Sequence, residues 1–251
     1  MTWRVTAIPQ MFGLVPPTRL PLRWIKAAGW LGRHFDGVVP KAPGKRRIEA
    51  AAQGTNALGA QKLADEYGEP GAVRLPDVVR ASADLGDLYA WLVQQRRPET
   101  VVEFGSAFGI SGMYFVAGLE ANGSGHLYTF EINDDWADIA ERNIRSISSR
   151  FTLTRGRFED HVGRTVAGGI DLALVDGIHT GDFVMRQWAI LKRQASPGGI
   201  LVFDDIDFGK PGARMREAWA EIAADGDVVA AVEVRGRLGL VELAGMLRAR
   251  S

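Results

Sequence analysis

From Thr100 onward the chain alternates short apolar runs rich in branched residues with amphipathic stretches, and this alternation restricts its fold more than any other feature of the sequence. Strands are expected at Thr100–Phe104, His126–Glu131, Phe151–Thr154, Ile170–Val175 and Ile200–Phe203. Between or after them, helical periodicity covers Ile110–Glu120, Asp134–Ser148, Phe183–Arg193 and Arg214–Ala224. An order of this kind builds a parallel sheet with helices on both faces. Val228–Val234 and Leu238–Leu243, joined through Arg-Gly-Arg with Gly236 at its centre, add a hairpin at the sheet edge.

The first hundred residues are read differently. Pro9, Pro16, Pro17, Pro21, Pro40 and Pro43 break the chain, and Lys41 to Arg47 is a basic stretch expected to be mobile. Leu20, Trp24, Ala28, Leu31 and Phe35 recur at helical spacing, which predicts a helix packed on the domain or on a second subunit, with contact to a membrane surface as the alternative, although Gly29 and Gly32 weaken the helix under either reading. From about Asn56 to Arg97 two helical stretches are expected, the second ended by Pro98. The division is therefore an N-terminal helical cap, 1–97, and a ligand-binding domain, 98–251. The fold class is α/β: a Rossmann-like doubly wound sheet of seven strands, mostly parallel with an antiparallel C-terminal hairpin, plus N-terminal helices.

Composition excludes several classes. Thirty basic residues balance 30 acidic ones, so no surface sought by a polyanion is implied and nucleic acid is not an expected partner. There is no cysteine, hence no disulfide and no thiolate metal site. The chain contains no apolar run of membrane-spanning length and no secretory signal pattern, so a soluble cytoplasmic protein without a membrane span is expected.

Val101 to Gly112 reads VVEFGSAFGISG, a strand running into Gly105, Gly109 and Gly112 and then into a helix. Strand, glycine turn and helix together present backbone N–H groups and the positive end of a helix dipole to a ligand. Gly105 and Gly109 are four apart with Ser106, Ala107 and Phe108 between them, which fits neither a phosphate loop nor the G-x-G-x-x-G dinucleotide fingerprint. Glu131 ends the next strand, where such folds place a carboxylate that accepts ribose hydroxyls; alone, it would read more readily as a solvated strand-end acid, and it is the glycine loop beside it that favours the ribose role.

Glu103 to Ser111 (EFGSAFGIS) resembles the first motif of class I S-adenosylmethionine-dependent methyltransferases, and Phe130 to Asn133 (FEIN) is similar to their second. The likeness runs from Thr100 to about Leu243. It implies that Gly105 and Gly109 let the backbone approach S-adenosylmethionine, with Ser106 in the same loop. It also implies that Glu131 holds the ribose and that Ser111 and Glu103 lie near the methionine carboxylate and amine. Phe158 and Glu159 fall where the family lines the adenine, and Phe158 reads equally well as core.

Asp176 ends one buried strand; Asp204 and Asp205 end the next. Acids at adjacent carboxyl edges share the crevice in which open α/β sheets bind ligands, and they repel one another unless protonated or joined by a cation. Oxygen donors suit Mg²⁺ or another hard divalent ion. Consecutive strand residues point to opposite faces, so Asp204 and Asp205 can share an ion only if the chain turns there. The spacing resembles the metal set of cation-dependent catechol-type and sugar or antibiotic O-methyltransferases, which implies Asp176, Asp204 and Asp205 as ligands, and Asp176 beside the cofactor. His179 lies where the catechol-type relatives carry a catalytic lysine, and is expected, with Asp176, to act on the acceptor.

The expected function is therefore divalent-cation-dependent methylation of a hydroxyl on a small molecule such as a sugar, diol or polyphenol, by a homodimer. A metal-independent methyltransferase using His179, and a non-catalytic S-adenosylmethionine-binding module, are the alternatives. Selectivity for the acceptor is expected from the first hundred residues and from the stretch after Asp205, where Phe208, Lys210 and Arg214 can reach over the pocket, with Lys210 and Arg214 reading more readily as solvated side chains.

Overall fold

The structure is a computed structural model that describes residues 15–64, 71–166, 168–210 and 212–245; Pro9 lies outside them. In chain order the N-terminal part comprises β1 (Thr18–Arg19), β2 (Leu22–Ala27), α1 (Gly29–His34), β3 (Val38–Val39) and α2 (Lys45–Asn56). It continues through β4 (Gln61–Lys62), β5 (Val73–Arg74), α3 (Pro76–Val79) and α4 (Ala83–Arg96). Then follow β6 (Thr100–Phe104), α5 (Ile110–Asn122), β7 (His126–Glu131), α6 (Asp134–Ile147), β8 (Phe151–Arg155) and α7 (Phe158–Thr165). The chain ends with β9 (Ile170–Val175), α8 (Gly181–Gln194), β10 (Ala195–Phe203), α9 (Met215–Ala224), β11 (Val228–Val234) and β12 (Leu238–Leu243).

The main sheet has the order β2-β11-β12-β10-β9-β6-β7-β8, parallel from β10 to β8 and antiparallel across β12, β11 and β2. The seven expected strands are all present, and β2 is an eighth. Strand order reverses between β6 and β9: β6 leads to β7 on one side and has β9 on the other, which opens a crevice at their carboxyl ends.

Side chains alternate strictly across this sheet. Val101, Leu172, Leu174, Ile200 and Val202 pack with α4 and α5, whereas Val102, Ala173, Val175, Leu201 and Phe203 pack with α8 and α9. Continuing the alternation puts Glu103, Asp176 and Asp204 on the first of these faces, beneath α4 and α5.

The helix expected over Leu20 to Phe35 does not form as one element. Leu22–Ala27 is a strand paired with β11, alternately half-buried and exposed, and only Gly29–His34 is helical. Arg23 forks onto the buried Glu233 at 2.9 and 2.7 Å, and Glu242 accepts the N–H groups of Trp30 (2.9 Å) and Leu31 (2.7 Å) at the start of α1. An edge that supplies ladder partners and a buried acid outweighs a helical stripe interrupted by two glycines.

The basic stretch Lys41 to Arg47 is likewise pinned, contrary to expectation. Asp87 on α4 is fully buried, and it accepts from Lys45 Nζ (2.6 Å), Thr18 Oγ1 (2.6 Å) and the Ala42 N–H (3.0 Å), with Lys41 Nζ at 3.3 Å. α2 begins at Lys45, before the region in which two helices were expected, and the second of those stretches is split into α3 and α4 at Ser82, whose Oγ caps α4 through the Leu85 N–H.

Candidate active site

The turn after β6 is closed against its neighbours. Gly105 and Ser106 N–H groups both donate to the Phe130 carbonyl, at 3.2 and 3.0 Å, and Gly109 caps α5. Gly105 has φ +89°, and a Cβ there would lie 1.9 Å from the Asp176 carbonyl oxygen, so the glycine lets the β6 and β9 tips touch. Gly109, at φ +77°, faces Ala140 of α6, 2.8 Å from a Cβ in its place.

Around this turn two acids are held in low-dielectric surroundings. Glu131 accepts from the N–H groups of Ala107 (2.8 Å) and Asn133 (2.9 Å), and burial pushes its carboxyl up to about 7 against those bonds. Glu103 is fully buried, and burial pushes it to about 7 as well, against hydrogen bonds from Ser111 and Thr129 that favour the ionised form. Thr129 donates to Glu103 Oε2 at 2.7 Å and its hydroxyl is also bonded to Ser106, while Glu103 Oε1 has no hydrogen-bond partner among the described residues.

These raised values set the pH dependence of the free protein. A carboxyl whose folded value exceeds its unfolded value of 4.5 favours the native state while protonated, and that contribution is lost as pH rises from 4.5 through about 7. The melting temperature of the ligand-free protein is therefore expected to fall between pH 5 and 8. Glu103→Gln should flatten that slope and melt higher than the parent protein at pH 8. Superimposable profiles would show that Glu103 is not strained by burial.

Two hollows flank Gly105. One, about 420 Å³ and open to solvent, is lined by Phe104, Phe130, Glu131, Ile132, Phe158 and Ile178 among others. The other, about 230 Å³, is lined by Ser106, Ala107, Ser111, Arg80 and Asp176 among others. Phe158 is fully buried and meets Phe104 and Phe130 edge-on at 5.0 and 5.3 Å, so one ring is both core and cleft wall. Glu159 accepts from Gln187 at 2.6 Å.

Beside the second hollow the tips of β9 and β10 gather the remaining acids. Asp176 N–H donates to the Phe104 carbonyl and Asp204 N–H to that of Val175, each at 3.0 Å, continuing the ladder beyond the strands. Asp205 has φ +51°, the turn that two consecutive aspartates need in order to face one place. His179 Nε2 stands 3.5 Å from Asp205 Oδ2 and 3.9 Å from Asp176 Oδ1, with its ring 5.3 Å from Phe208.

Burial and the facing carboxylates of Asp204 and Asp205 push Asp176 well above the usual range, and burial, then Asp204, pushes Asp205 up too. Burial lowers His179, against the pull of the acids, which favours a neutral imidazole. Arg237, from the turn between β11 and β12, supplies the positive charge: it donates through Nε and Nη2 to Asp204 at 3.1 and 3.0 Å and lies 2.8 Å from Asp205. No group of three or more His, Asp or Glu side chains among the described residues is arranged to hold a metal ion.

The structure thus brings Glu103, Ser106, Ser111, Asp176, His179, Asp204 and Asp205 to one crevice, with Glu131 and Phe158 across Gly105. Sequence reasoning missed Thr129, Tyr89 and Arg237. Tyr89 on α4 is fully buried with its hydroxyl unpartnered among the described residues, and burial and the charges of Asp204 and Asp176 raise its pKa. Lys210 lies over the Phe208 ring at 5.6 Å, and Arg214 is exposed, 4.0 Å from Asp182.

Residues 102–206 match the family model of a methyltransferase domain. Among solved structures the chain is similar to the O-methyltransferase TomG from Streptomyces achromogenes, solved with SAM: 18% identity over 82% of this chain and 92% of that one, TM-score 0.59. It is also similar to an O-methyltransferase from Bacillus cereus in complex with SAH, at 18% identity, 85% and 95% coverage and TM-score 0.58. A putative caffeoyl-CoA O-methyltransferase from Staphylococcus aureus aligns at 12% identity, 80% and 95% coverage and TM-score 0.58. No curated protein matches the sequence. Residues 102–206 thus resemble a methyltransferase domain, and the fold is the one these solved methyltransferases share. Among the described residues no helix is long and apolar enough to cross a membrane.

Proposed function

We propose that the protein is an S-adenosylmethionine-dependent O-methyltransferase acting on a hydroxyl of a small molecule, with Asp176, Asp204 and Asp205 as seat of a divalent cation and His179 as general base. The observation that carries this reading is the double role of Asp176. Its carbonyl packs against Gly105 in the cofactor turn, while its carboxylate lies 3.9 Å from His179, so donor and acceptor sites share one wall.

The residues suit S-adenosylmethionine. Glu103 Oε1 is a buried acceptor without a partner among the described residues, which fits an ammonium group, and Glu131 retains lone pairs for ribose hydroxyls beside the aromatic hollow. When bound, the cofactor would supply an electrophilic methyl group on a sulfonium that leaves as the neutral thioether. His179, kept neutral by burial, takes the acceptor's proton, and Asp176 and Asp205 stabilise the imidazolium that results. Phe208 and the Lys210 chain above it border the acceptor side.

The oxygen donors are of the type a hard cation takes, although here they gather around Arg237 and no three of them among the described residues are arranged around an ion. Three carboxylates share the site, and two of them stay strained upward in pKa by burial and mutual repulsion even with Arg237 present. When bound, the cation would supply positive charge that lowers the pKa of an acceptor hydroxyl. A cytoplasmic homodimer completes the proposal; Val73, Leu75 and Val78 are exposed apolar side chains, 54%, 47% and 73% accessible, in the segment that leads to Val79 and Arg80 at the second hollow.

Methyl transfer from labelled S-adenosylmethionine to a panel of sugars, diols and polyphenols, run with EDTA and with excess Mg²⁺, tests the reading. Incorporation is expected to depend on Mg²⁺ and to fall about 100-fold or more in His179→Ala, the size of a lost general base. Incorporation indifferent to EDTA removes the cation from the scheme, and incorporation into protein or RNA alone removes the small acceptor.

A further inference from the structure

Asp204 is a carboxylate with 2% of its side chain accessible, and a buried charge needs a partner. Its partner is Arg237, whose Nε and Nη2 meet Oδ1 and Oδ2 at 3.1 and 3.0 Å in the parallel fork that guanidinium and carboxylate form at their strongest. The same Nε is 2.8 Å from Asp205 Oδ1. One cation therefore bridges the two aspartates that the cation reading assigns to an ion.

The backbone around this bridge is tied down, while the side chain that makes it is accessible from solvent. Arg235 and Gly236 have φ +56° and +69°, the paired positive values of a tight hairpin turn, and Ile206 N–H donates to the Arg237 carbonyl at 2.9 Å. The hairpin is thus tied to the loop bearing Asp205. The Arg237 side chain, by contrast, is 47% accessible and reaches in from solvent, so it can withdraw on its own torsions without disturbing either strand. A guanidinium and a divalent ion need the same oxygen lone pairs and repel each other.

We infer that Arg237 and a divalent cation are alternative occupants of the Asp204–Asp205 pair, so that Arg237 sets the affinity and selectivity of the site for its ion. The inference rests on the cation reading proposed above and extends it to a residue outside the acid set. A site competent for only a fraction of the time binds more weakly by that fraction, so a bridge formed nine-tenths of the time weakens binding about tenfold.

Mn²⁺ titration of the ligand-free full-length protein, followed by electron paramagnetic resonance, tests this in the parent protein, Arg237→Gln, Arg237→Lys and Asp204→Asn. Arg237→Gln is expected to bind one Mn²⁺ about tenfold or more tightly than the parent, Arg237→Lys to fall between them, and Asp204→Asn to lose the ion. In parallel, Arg237→Gln should melt below the parent in EDTA and recover more of the difference in Mg²⁺ than the parent gains. Mn²⁺ bound by the parent and abolished by Asp204→Asn, yet no tighter in either arginine variant, overturns the exchange and leaves the cation reading standing. Absence of Mn²⁺ binding in parent and arginine variants alike overturns both. Should Arg237→Gln fail to fold, the Arg237→Lys comparison decides in the same way.

Discussion

Asp87→Ala is expected to cost about 3–5 kcal/mol of unfolding free energy, the range found when one member of a buried ion pair is removed. The side chain is fully buried on α4, and its two oxygens serve Lys45, Thr18 and the Ala42 amide together. Alanine leaves two lysines, 28% and 20% accessible, without their acid, and strands the Ala42 backbone N–H. For a domain of this size the melting temperature should drop by roughly 6–20 °C. Asp84→Ala is the control: Asp84 is 39% accessible and pairs with Arg235 at the surface, and its loss should cost no more than about 1 kcal/mol. Differential scanning calorimetry at one pH compares the two. An Asp87→Ala protein melting with the parent would show that the segment Thr18 to Lys45 is held by apolar packing alone.

Gly105→Ala is expected to abolish cofactor binding while leaving a folded protein. A methyl at this position meets the Asp176 carbonyl at 1.9 Å in a backbone conformation, φ +89°, that L side chains avoid. The turn must then retreat from the β9 tip, and both hollows, which share Gly105, change shape together. A misplacement near 1 Å is worth about 100-fold in such sites, so affinity for S-adenosylhomocysteine by calorimetry should fall at least that far. Gly123→Ala, also at positive φ (+72°) but with nothing within 4 Å of the added methyl, should leave that affinity unchanged. Equal affinity in the Gly105 variant would mean that the ligand does not cross this turn.

The site was legible in part. Local patterns sufficed for Gly105, for the acids that end strands, and for the strand–helix order from Thr100, because a strand's carboxyl end and its following turn are set by neighbouring residues. Leu20 to Phe35 misled because helical spacing is a weak preference that a ladder with β11 and the Arg23–Glu233 pair override. Thr129 carries no motif, and its importance comes from facing Glu103 across two paired strands, as Thr129 and Glu103 are register partners. Tyr89 and Arg237 were invisible for the same reason: each reaches the acids from an element distant in sequence.

The chain order alone determined a doubly wound α/β sheet, a glycine turn unsuited to phosphate and a set of acids at neighbouring strand tips, since periodicity and turn chemistry act over a few residues. Tertiary structure decided how those acids are neutralised. Whether Asp204 meets an ion or a guanidinium depends on a hairpin that returns antiparallel beside β10 and delivers Arg237 to its end. Burial and charge pairing are properties of the assembled crevice, and no local pattern encodes them.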